Sequence, residues 1–151
     1  MGRTVCTLAV LPDRVRAGLA QICAARWPEE TCGILVGKWR GGIVRVEDFR
    51  PIRNASCEPQ TTFMFDPEEW VRAFFEVRDK GKAVVGVFHS HPDGRLLPSI
   101  ADRKAQLPWG TCWIVGISEG RCEIAAYQPM DDGSWRPIPV TAKLPCAKYN
   151  V

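Results

Sequence analysis

An unbroken run of apolar residues at positions 83–88 constrains the fold more than any other feature of the sequence. A strand with one face in solvent alternates polar and apolar residues, whereas a continuous apolar run suits a strand that is covered on both faces. We therefore expect residues 82–90 to form a strand at the centre of a sheet. Both histidines of the chain, His89 and His91, lie at the end of this run.

The segments on either side predict a mixed sheet with helices against it. Alternating patterns and turn residues predict further strands at 5–11, 31–39, 43–52, 62–65, 111–118, 121–128 and 135–140. Helical periodicity and capping residues predict helices at 13–27, 67–80 and 99–106. This order of elements indicates an α/β fold of the α+β type, with a mixed, largely antiparallel, twisted sheet flanked by helices.

The length of the chain bounds the number of domains. The 151 residues contain no repeat and no linker, and domains of about 100–150 residues are the most common. We expect a single domain, 1–151, with its core at about 5–128. Residues 129–151 hold four prolines and a basic patch around Lys143 and Lys148, and they predict an edge strand or a tail.

Charge and cysteine usage argue against several classes of protein. The net charge of +3 is spread along the chain, so nucleic-acid binding is the weakest alternative. No apolar stretch reaches the ~18 residues of a membrane span and the N-terminus lacks a secretory pattern, so we expect a cytoplasmic protein. Seven cysteines without a C-x-x-C pair predict neither a disulfide framework nor a cysteine-based zinc site.

The two histidines are spaced for a common ligand. Residues i and i+2 of a strand point to the same face, roughly 6–7 Å apart. The imidazoles of His89 and His91 can therefore converge on one metal ion at ~2.0–2.1 Å. Asp102 follows after a loop whose Pro and Gly residues let the chain reverse. Two histidines and one carboxylate leave a fourth tetrahedral position open, which is typical of a catalytic zinc site.

Each part of this pattern also has a purely structural interpretation. A His-x-His sequence in a strand is more often incidental than metal-binding when it is taken alone. Ser99-x-x-Asp102 is a capping box for its own helix, and Glu30 is by itself an unremarkable acid before a strand. The coincidence of both histidines and a carboxylate at the end of one buried strand favours the metal site.

Around these residues the chain resembles the JAMM (MPN+) zinc metalloproteases. Their motif is His-x-His-Pro followed by Ser-x-x-Asp, with the serine seven positions after that proline. Here the motif runs from His89 to Asp102, and its spacing matches in full. The segment 28–37, Pro-Glu-Glu-Thr-Cys-Gly-Ile-Leu-Val-Gly, is similar to the family's Glu-x-Cys-Gly segment and selects Glu30 over Glu29.

The resemblance implies a site, a mechanism and a fold. His89, His91 and Asp102 would bind one zinc ion per chain. Glu30 would be the general base that takes a proton from the attacking water and passes it to the leaving amine. Ser99 would donate a hydrogen bond to the developing oxyanion. The implied fold is the JAMM/MPN fold, which is similar to that of cytidine deaminase.

The compact length is typical of the small prokaryotic branch of this family. Asn54 and residues 63–67 are similar to the family's middle region, so the resemblance covers about 5–128. It implies hydrolysis of the amide or isopeptide bond after the C-terminal Gly-Gly of a ubiquitin-like sulfur carrier protein. A free edge strand beside the zinc could pair with the extended tail of such a carrier.

Three other functions compete with this interpretation. A protein-binding scaffold of the same fold that has lost its metal is the main alternative, although all five expected side chains are present. A zinc deaminase would need His-x-Glu and Pro-Cys-x-x-Cys, which the chain lacks. A Cys–His hydrolase based on Cys32 would need a histidine that the zinc site already uses.

Overall fold

The computed structural model describes residues 4–105 and 110–145. These residues form eight strands and three helices. The strands are β1 (Leu8–Val10), β2 (Cys32–Arg40), β3 (Ile43–Ile52), β4 (Ala83–His91), β5 (Cys112–Ser118), β6 (Arg121–Pro129), β7 (Trp135–Ile138) and β8 (Val140–Thr141). The helices are α1 (Asp13–Ala25), α2 (Pro67–Asp79) and α3 (Ile100–Lys104).

All eight strands belong to one sheet, in the order β7-β6-β5-β4-β2-β3-β1-β8. The pairs β2–β3, β2–β4, β5–β6 and β6–β7 are antiparallel, whereas β1–β3, β1–β8 and β4–β5 are parallel. The predicted α+β class with a mixed sheet is confirmed. β4 lies in the interior of the sheet, so the prediction of a central strand from its apolar run is confirmed as well.

Helices cover β4 on both faces. Phe88 belongs to the same core cluster as Leu19 of α1, whereas Val84 packs against the cluster that contains Val77 of α2. Phe88 and Val87 are at most 1% exposed. Because both faces are removed from water, every residue of this strand can be apolar until it reaches the two histidines.

Residues 135–141 form both ends of the sheet. β7 pairs with β6, β8 pairs with β1, and one residue, Pro139, separates the two strands. The sheet therefore curls until its ends meet at this segment. Where one edge strand was predicted at 135–140, the structure has two short edge strands, β7 and β8. Pro137 of β7 suits an edge because proline cannot donate to a ladder.

The strand that carries the histidines has neighbours on both sides. β4 lies between β2 and β5, and these two strands are themselves internal. The strand of the histidines is therefore not a free edge. β1 pairs only with Ile43–Arg45 of β3, so among the described residues the stretch 46–52 of β3 has a strand partner on one side only, and the free edge strand beside the metal stays a prediction.

Helix α2 begins where the capping residues predict. The Asp66 side chain accepts a hydrogen bond from the Glu69 N–H over 3.1 Å, and Pro67 is the first helical residue. The Glu69 carboxylate accepts from the Arg53 N–H instead of returning the bond to Asp66. Its side chain therefore ties α2 to the end of β3.

The strand predicted at 62–65 is wrong. Within this segment only Phe65 forms a β-bridge, to Asn54. The Asn54 Oδ1 accepts the Met64 N–H over 3.1 Å, so a side chain takes the donor that a strand would offer to its neighbour. The segment is a loop held by Asn54.

Other predictions fall partly outside the described residues. Gln106, Cys146 and Lys148 lie there, and the limits of the domain stay a prediction. Four of the cysteines expected in the core are buried, namely Cys6, Cys23, Cys32 and Cys112. Among the described residues, no helix is long and apolar enough to cross a bilayer.

Candidate metal centre

The two imidazoles meet at the end of β4, as their i, i+2 spacing predicts. His89 is 2% exposed and His91 is 6% exposed, and their Nε2 atoms lie 3.0 Å apart. Phe63 stacks on the His89 ring with the ring centroids 4.6 Å apart. The Nδ1–H of His91 donates to the Arg95 carbonyl over 2.9 Å, which leaves its Nε2 lone pair directed at the centre.

Asp102 reaches both imidazoles from the first turn of α3. Its Oδ1 lies 3.1 Å from Nε2 of His89, and its Oδ2 lies 3.1 Å from Nε2 of His91. Asp102 also completes a capping box: its Oδ2 accepts from the Ser99 N–H, and the Ser99 Oγ accepts from the Asp102 N–H. The structural interpretation of Ser99-x-x-Asp102 is therefore correct, and the capping box also directs the carboxylate at the two rings.

Close contacts hold the loop 92–98, and through it the start of α3. Gly94 has a φ of +83°. Its carbonyl oxygen passes so near Gly116 that a Cβ there would lie 2.6 Å away. The Tyr127 hydroxyl donates to the Leu96 carbonyl over 2.6 Å. These contacts to β5 and β6 set the position of α3 relative to β4, and hence the position of Asp102.

Glu30 approaches the same centre from the segment before β2. It is 4% exposed, whereas its neighbour Glu29 is exposed. The glutamate that lies at the centre is therefore Glu30, the one that the sequence selects over Glu29. Ligand atoms of Glu30, His89 and His91 all lie within 4.8 Å of one another. The backbone of Glu30 is fixed by its N–H, which donates to the Pro59 carbonyl over 2.6 Å.

The two carboxyl groups of the centre have opposite electrostatics. Burial raises the pKa of Glu30 to about 7, with the negative charges of Asp102 and Asp93 adding to the rise and His91 opposing it. Burial acts in the same direction on Asp102, but hydrogen bonds from both imidazoles outweigh it and hold the pKa of Asp102 well below its ordinary value. One carboxylate is therefore kept ionised while the other can exchange a proton near neutral pH.

The pKa values of the two histidines are also shifted in opposite directions. Burial lowers the pKa of His89 despite the hydrogen bond to Asp102. Burial also opposes the charged form of His91, but the bond to Asp102 outweighs it and raises the pKa of His91. In the metal-free centre a proton is therefore favoured on His91 and disfavoured on His89.

The donor atoms fit a divalent metal ion. Each imidazole Nε2 lies 3.0 Å from the other and 3.1 Å from an Asp102 oxygen. This is close to the ~3.3 Å edge of a tetrahedron whose bonds are ~2.0–2.1 Å long. The Asp102 oxygens lie 3.1 Å from the two rings, and a Glu30 oxygen lies within 4.8 Å of a nitrogen of each ring.

A cavity of about 340 Å³ opens beside this centre. Glu30, His91 and Ser99 line it, together with Gln60 and Thr61. Three of the five side chains predicted to bind the metal or to take part in catalysis thus face a space that a substrate can enter. Spacing arguments did not identify Phe63 as a contact of the His89 ring, because an aromatic residue in a loop carries no periodic signal.

The structure contradicts the alternative that uses Cys32 as a nucleophile. The Cys32 thiol donates to the Ile52 carbonyl over 3.3 Å. Burial raises its pKa to about 12, so the thiol stays protonated near neutral pH, whereas the thiolate is the reactive form.

Comparison with known proteins gives a match over most of the chain. The sequence profile of the prokaryotic homologs of the JAB domain matches residues 12–141, which include every residue of the centre. A protein of Desulfitobacterium hafniense with a known solution structure is 26% identical and has a TM-score of 0.77. The similarity covers 91% of this chain and 95% of that protein.

Two curated relatives are similar over shorter stretches. The desampylase of Haloferax volcanii is 32% identical over 94 residues, which are 62% of this chain and 66% of that protein. The tail tip assembly protein K of Escherichia phage N15 is 42% identical over 111 residues, which are 70% of this chain and 39% of that protein. The chain therefore spans less than two thirds of the length of either relative.

Proposed function

The chain belongs to the family of prokaryotic homologs of the JAB domain, and on that premise we propose that it is a zinc-dependent peptidase or isopeptidase. The observation that carries the proposal is the convergence of two buried imidazoles and a buried carboxylate beside an open cavity. Structural zinc sites are closed by four protein ligands, whereas catalytic sites keep a position open toward the substrate.

His89, His91 and Asp102 would hold one zinc ion per chain. Imidazole nitrogen and carboxylate oxygen are among the ligands that zinc takes most often. When bound, zinc supplies a Lewis acid that polarises a substrate carbonyl and lowers the pKa of a water to about 7. The Arg95 carbonyl and the Ser99 N–H orient the ligands from outside, as partners of metal ligands generally do.

Glu30 would move the proton during hydrolysis. Burial raises its pKa to about 7, so the carboxylate can accept a proton from the attacking water and release it to the leaving amine. Ser99 would stabilise the oxyanion. Because its Oγ accepts from the Asp102 N–H, its own hydroxyl proton stays available to a substrate oxygen.

The proposed substrate is a ubiquitin-like carrier protein that is extended or conjugated beyond its C-terminal Gly-Gly. The similarity to a desampylase over 62% of the chain supports this substrate class. Two glycines also suit a cavity whose lining includes the loop residues Gln60, Thr61 and Arg95, because glycines carry no side chains that could collide with this lining.

The proposal is tested with ubiquitin-like carriers that carry extra residues or a conjugated protein after Gly-Gly. Purified protein loaded with zinc should release the free Gly-Gly terminus, as read by intact mass. A chelator should stop the release, and added zinc should restore it. Cleavage that continues unchanged in the chelator would refute a metal-dependent mechanism.

The same experiment separates this function from that of a metal-free binding scaffold. A scaffold would bind the carrier without cleaving it and would retain no zinc after purification. Zinc retained by the parent and lost by the His89→Ala variant would support the hydrolase.

A second candidate function follows from the similarity to phage protein K. That similarity has the higher identity of the two, 42% over 111 residues. The hydrolytic centre would then act on a polypeptide during the assembly of a phage tail tip. Zinc-dependent cleavage of a tail protein, together with inert carrier conjugates, would favour this substrate over the first.

A further inference from the structure

Ser90 stands between the two imidazoles in the sequence but faces away from them. It is 1% exposed, and its hydroxyl lies beside the Cys23 thiol of α1. The geometry of the strand excludes it from the donor set, as the alternation of β4 predicts. Its side chain instead contacts the segment that carries Glu30.

The contact replaces one bond of the sheet ladder. Cys32 and His89 are the last paired residues of β2 and β4 at this end. One residue further, the Ser90 N–H donates to the Thr31 carbonyl over 2.8 Å. The Thr31 N–H donates in return to the Ser90 Oγ, also over 2.8 Å. A side-chain oxygen thus takes the position of a backbone carbonyl where the chain leaves the ladder.

The residue held in this way adjoins Glu30. On the other side, the Glu30 N–H donates to the Pro59 carbonyl over 2.6 Å, and the Asn54 Nδ2 donates to the Glu30 carbonyl over 2.9 Å. The backbone polar groups of Glu30 and Thr31 are therefore held from two directions. Of these contacts, the pair at Ser90 is the one that joins Glu30 to the strand of the histidines.

We propose that Ser90 is a positioning residue, whose hydroxyl oxygen fixes the Glu30 carboxylate relative to the imidazoles of His89 and His91. The kinetic part of this inference rests on the proposed function. A displacement of about 1 Å at a reacting group can cost on the order of 100-fold in rate. Without the Ser90 oxygen, the buried Thr31 N–H has no acceptor, and the segment 30–31 shifts to find one.

The test uses two variants of nearly equal shape, S90T and S90V. Threonine keeps the hydroxyl oxygen, whereas valine replaces it with a methyl group. We expect S90V to lose about 10–100-fold in kcat with little change in KM, and S90T to keep most of the turnover. Both variants should bind zinc with equal affinity in a competition assay with a chelator, because Ser90 faces away from the donors.

A double-mutant cycle asks whether Ser90 acts through Glu30. In the Glu30→Gln background, S90T and S90V should hydrolyse the substrate at the same residual rate, since the group that Ser90 positions is no longer a base. The inference is overturned if S90V cleaves as fast as S90T. It is also overturned if the valine variant fails by losing zinc.

A measurement on the metal-free protein tests the contact independently of any activity. Hydrogen exchange of the Thr31 amide, followed by NMR, should be slow in S90T and at least 10-fold faster in S90V. Crystal structures of the pair should show the Glu30 carboxylate displaced only in S90V. Equal protection and an unmoved Glu30 would refute the inference, whereas a parent that cleaves no carrier would refute the proposed function alone. If S90V does not fold, S90A takes its place in each comparison.

Discussion

The ionisable side chains at the two ends of strands β2 and β4 differ in their exposure to solvent. At the far end, Lys82 and Lys38 lie 2.6 Å and 3.9 Å from the Glu47 carboxylate. The two lysine side chains are 41% and 69% exposed. At the near end, His89, His91 and Asp102 contact one another at 3.0–3.1 Å. None of these three residues is more than 6% exposed.

This difference indicates at which end of the strands the chain tolerates the removal of a charged side chain. Exposed ion pairs such as those of Glu47 are solvated and screened, so each contributes little to stability. Buried groups are different, because removing one partner leaves the others desolvated and unpaired. Charge changes at the near end should therefore alter both stability and chemistry, whereas changes at the far end should alter neither by much.

The largest expected effect is on turnover, at Glu30. Glu30→Gln should lower kcat by about 100- to 10,000-fold, the range for removing a general base. Zinc content should stay unchanged, since the amide does not disturb His89, His91 or Asp102. Steady-state kinetics and elemental analysis measure the two quantities. Glu47→Gln at the far end is the matched control, and Glu30 has no part in the chemistry if both variants cleave equally well.

The next effect is on zinc affinity, at Asp102. Removing a residue that only orients a metal ligand lowers the metal affinity by about 10–100-fold. Because Asp102 is proposed to be a ligand itself, Asp102→Ala should lower the zinc affinity by more than about 100-fold. Competition with a fluorescent chelator measures the dissociation constant. The control is Asp93→Ala, whose carboxylate is exposed and pairs with Arg95 at 2.9 Å. An unchanged constant in Asp102→Ala would remove this residue from the ligand set.

A smaller effect concerns the stability of the metal-free protein as a function of pH. The pKa of Glu30 is raised from 4.5 to about 7, so the folded state binds this proton more tightly than the unfolded chain. The resulting stability is fully present below pH 4.5 and is lost as the pH rises through 7. Glu30→Gln should therefore be more stable than the parent at pH 8, by about 3 kcal/mol, and should lose this advantage toward pH 4.5.

Urea unfolding in a chelator at several pH values measures this difference. The matched control is Glu47→Gln, whose parent carboxyl has a lowered pKa because of the hydrogen bond from Lys82. Its stability relative to the parent should not rise with pH. If the difference in the free energy of unfolding between Glu30→Gln and the parent does not change with pH, Glu30 is ionised without cost in the folded state.

The smallest effect is expected at Lys82. Lys82→Ala removes an exposed partner of Glu47 and should change the free energy of unfolding by about 0.2–1 kcal/mol, with no change in zinc affinity. Salt should shrink the effect further, because exposed pairs are screened. A loss as large as that expected at the near end would break the contrast between the two ends.

Much of the fold could be predicted from local patterns. The apolar run before His89 predicts a central strand because a strand covered on both faces has no place for polar side chains. Asp66 and Pro67 predict the start of α2 because their preferences act within one turn. The strand expected at 62–65 fails for a nonlocal reason, since the Asn54 side chain takes the Met64 N–H.

The candidate site was predictable in part. The i, i+2 spacing of His89 and His91 predicts their convergence, because alternation along a strand is a local property. The reach of Asp102 to both rings depends on the packing of the loop 92–98 against Gly116 and Tyr127. The spacing of residues in the sequence does not reveal that packing. Glu30 was singled out only by the resemblance to a known family.

The sequence by itself determined most of the strands and helices, and which side chains of β4 share a face, because periodicity and capping act over a few residues. Only the tertiary structure decided that Glu30 lies within 4.8 Å of both imidazoles, and that the ends of the sheet meet at Pro139. These outcomes depend on contacts between segments distant in the chain, and the free energies of such contacts come from burial and close packing that no local pattern encodes.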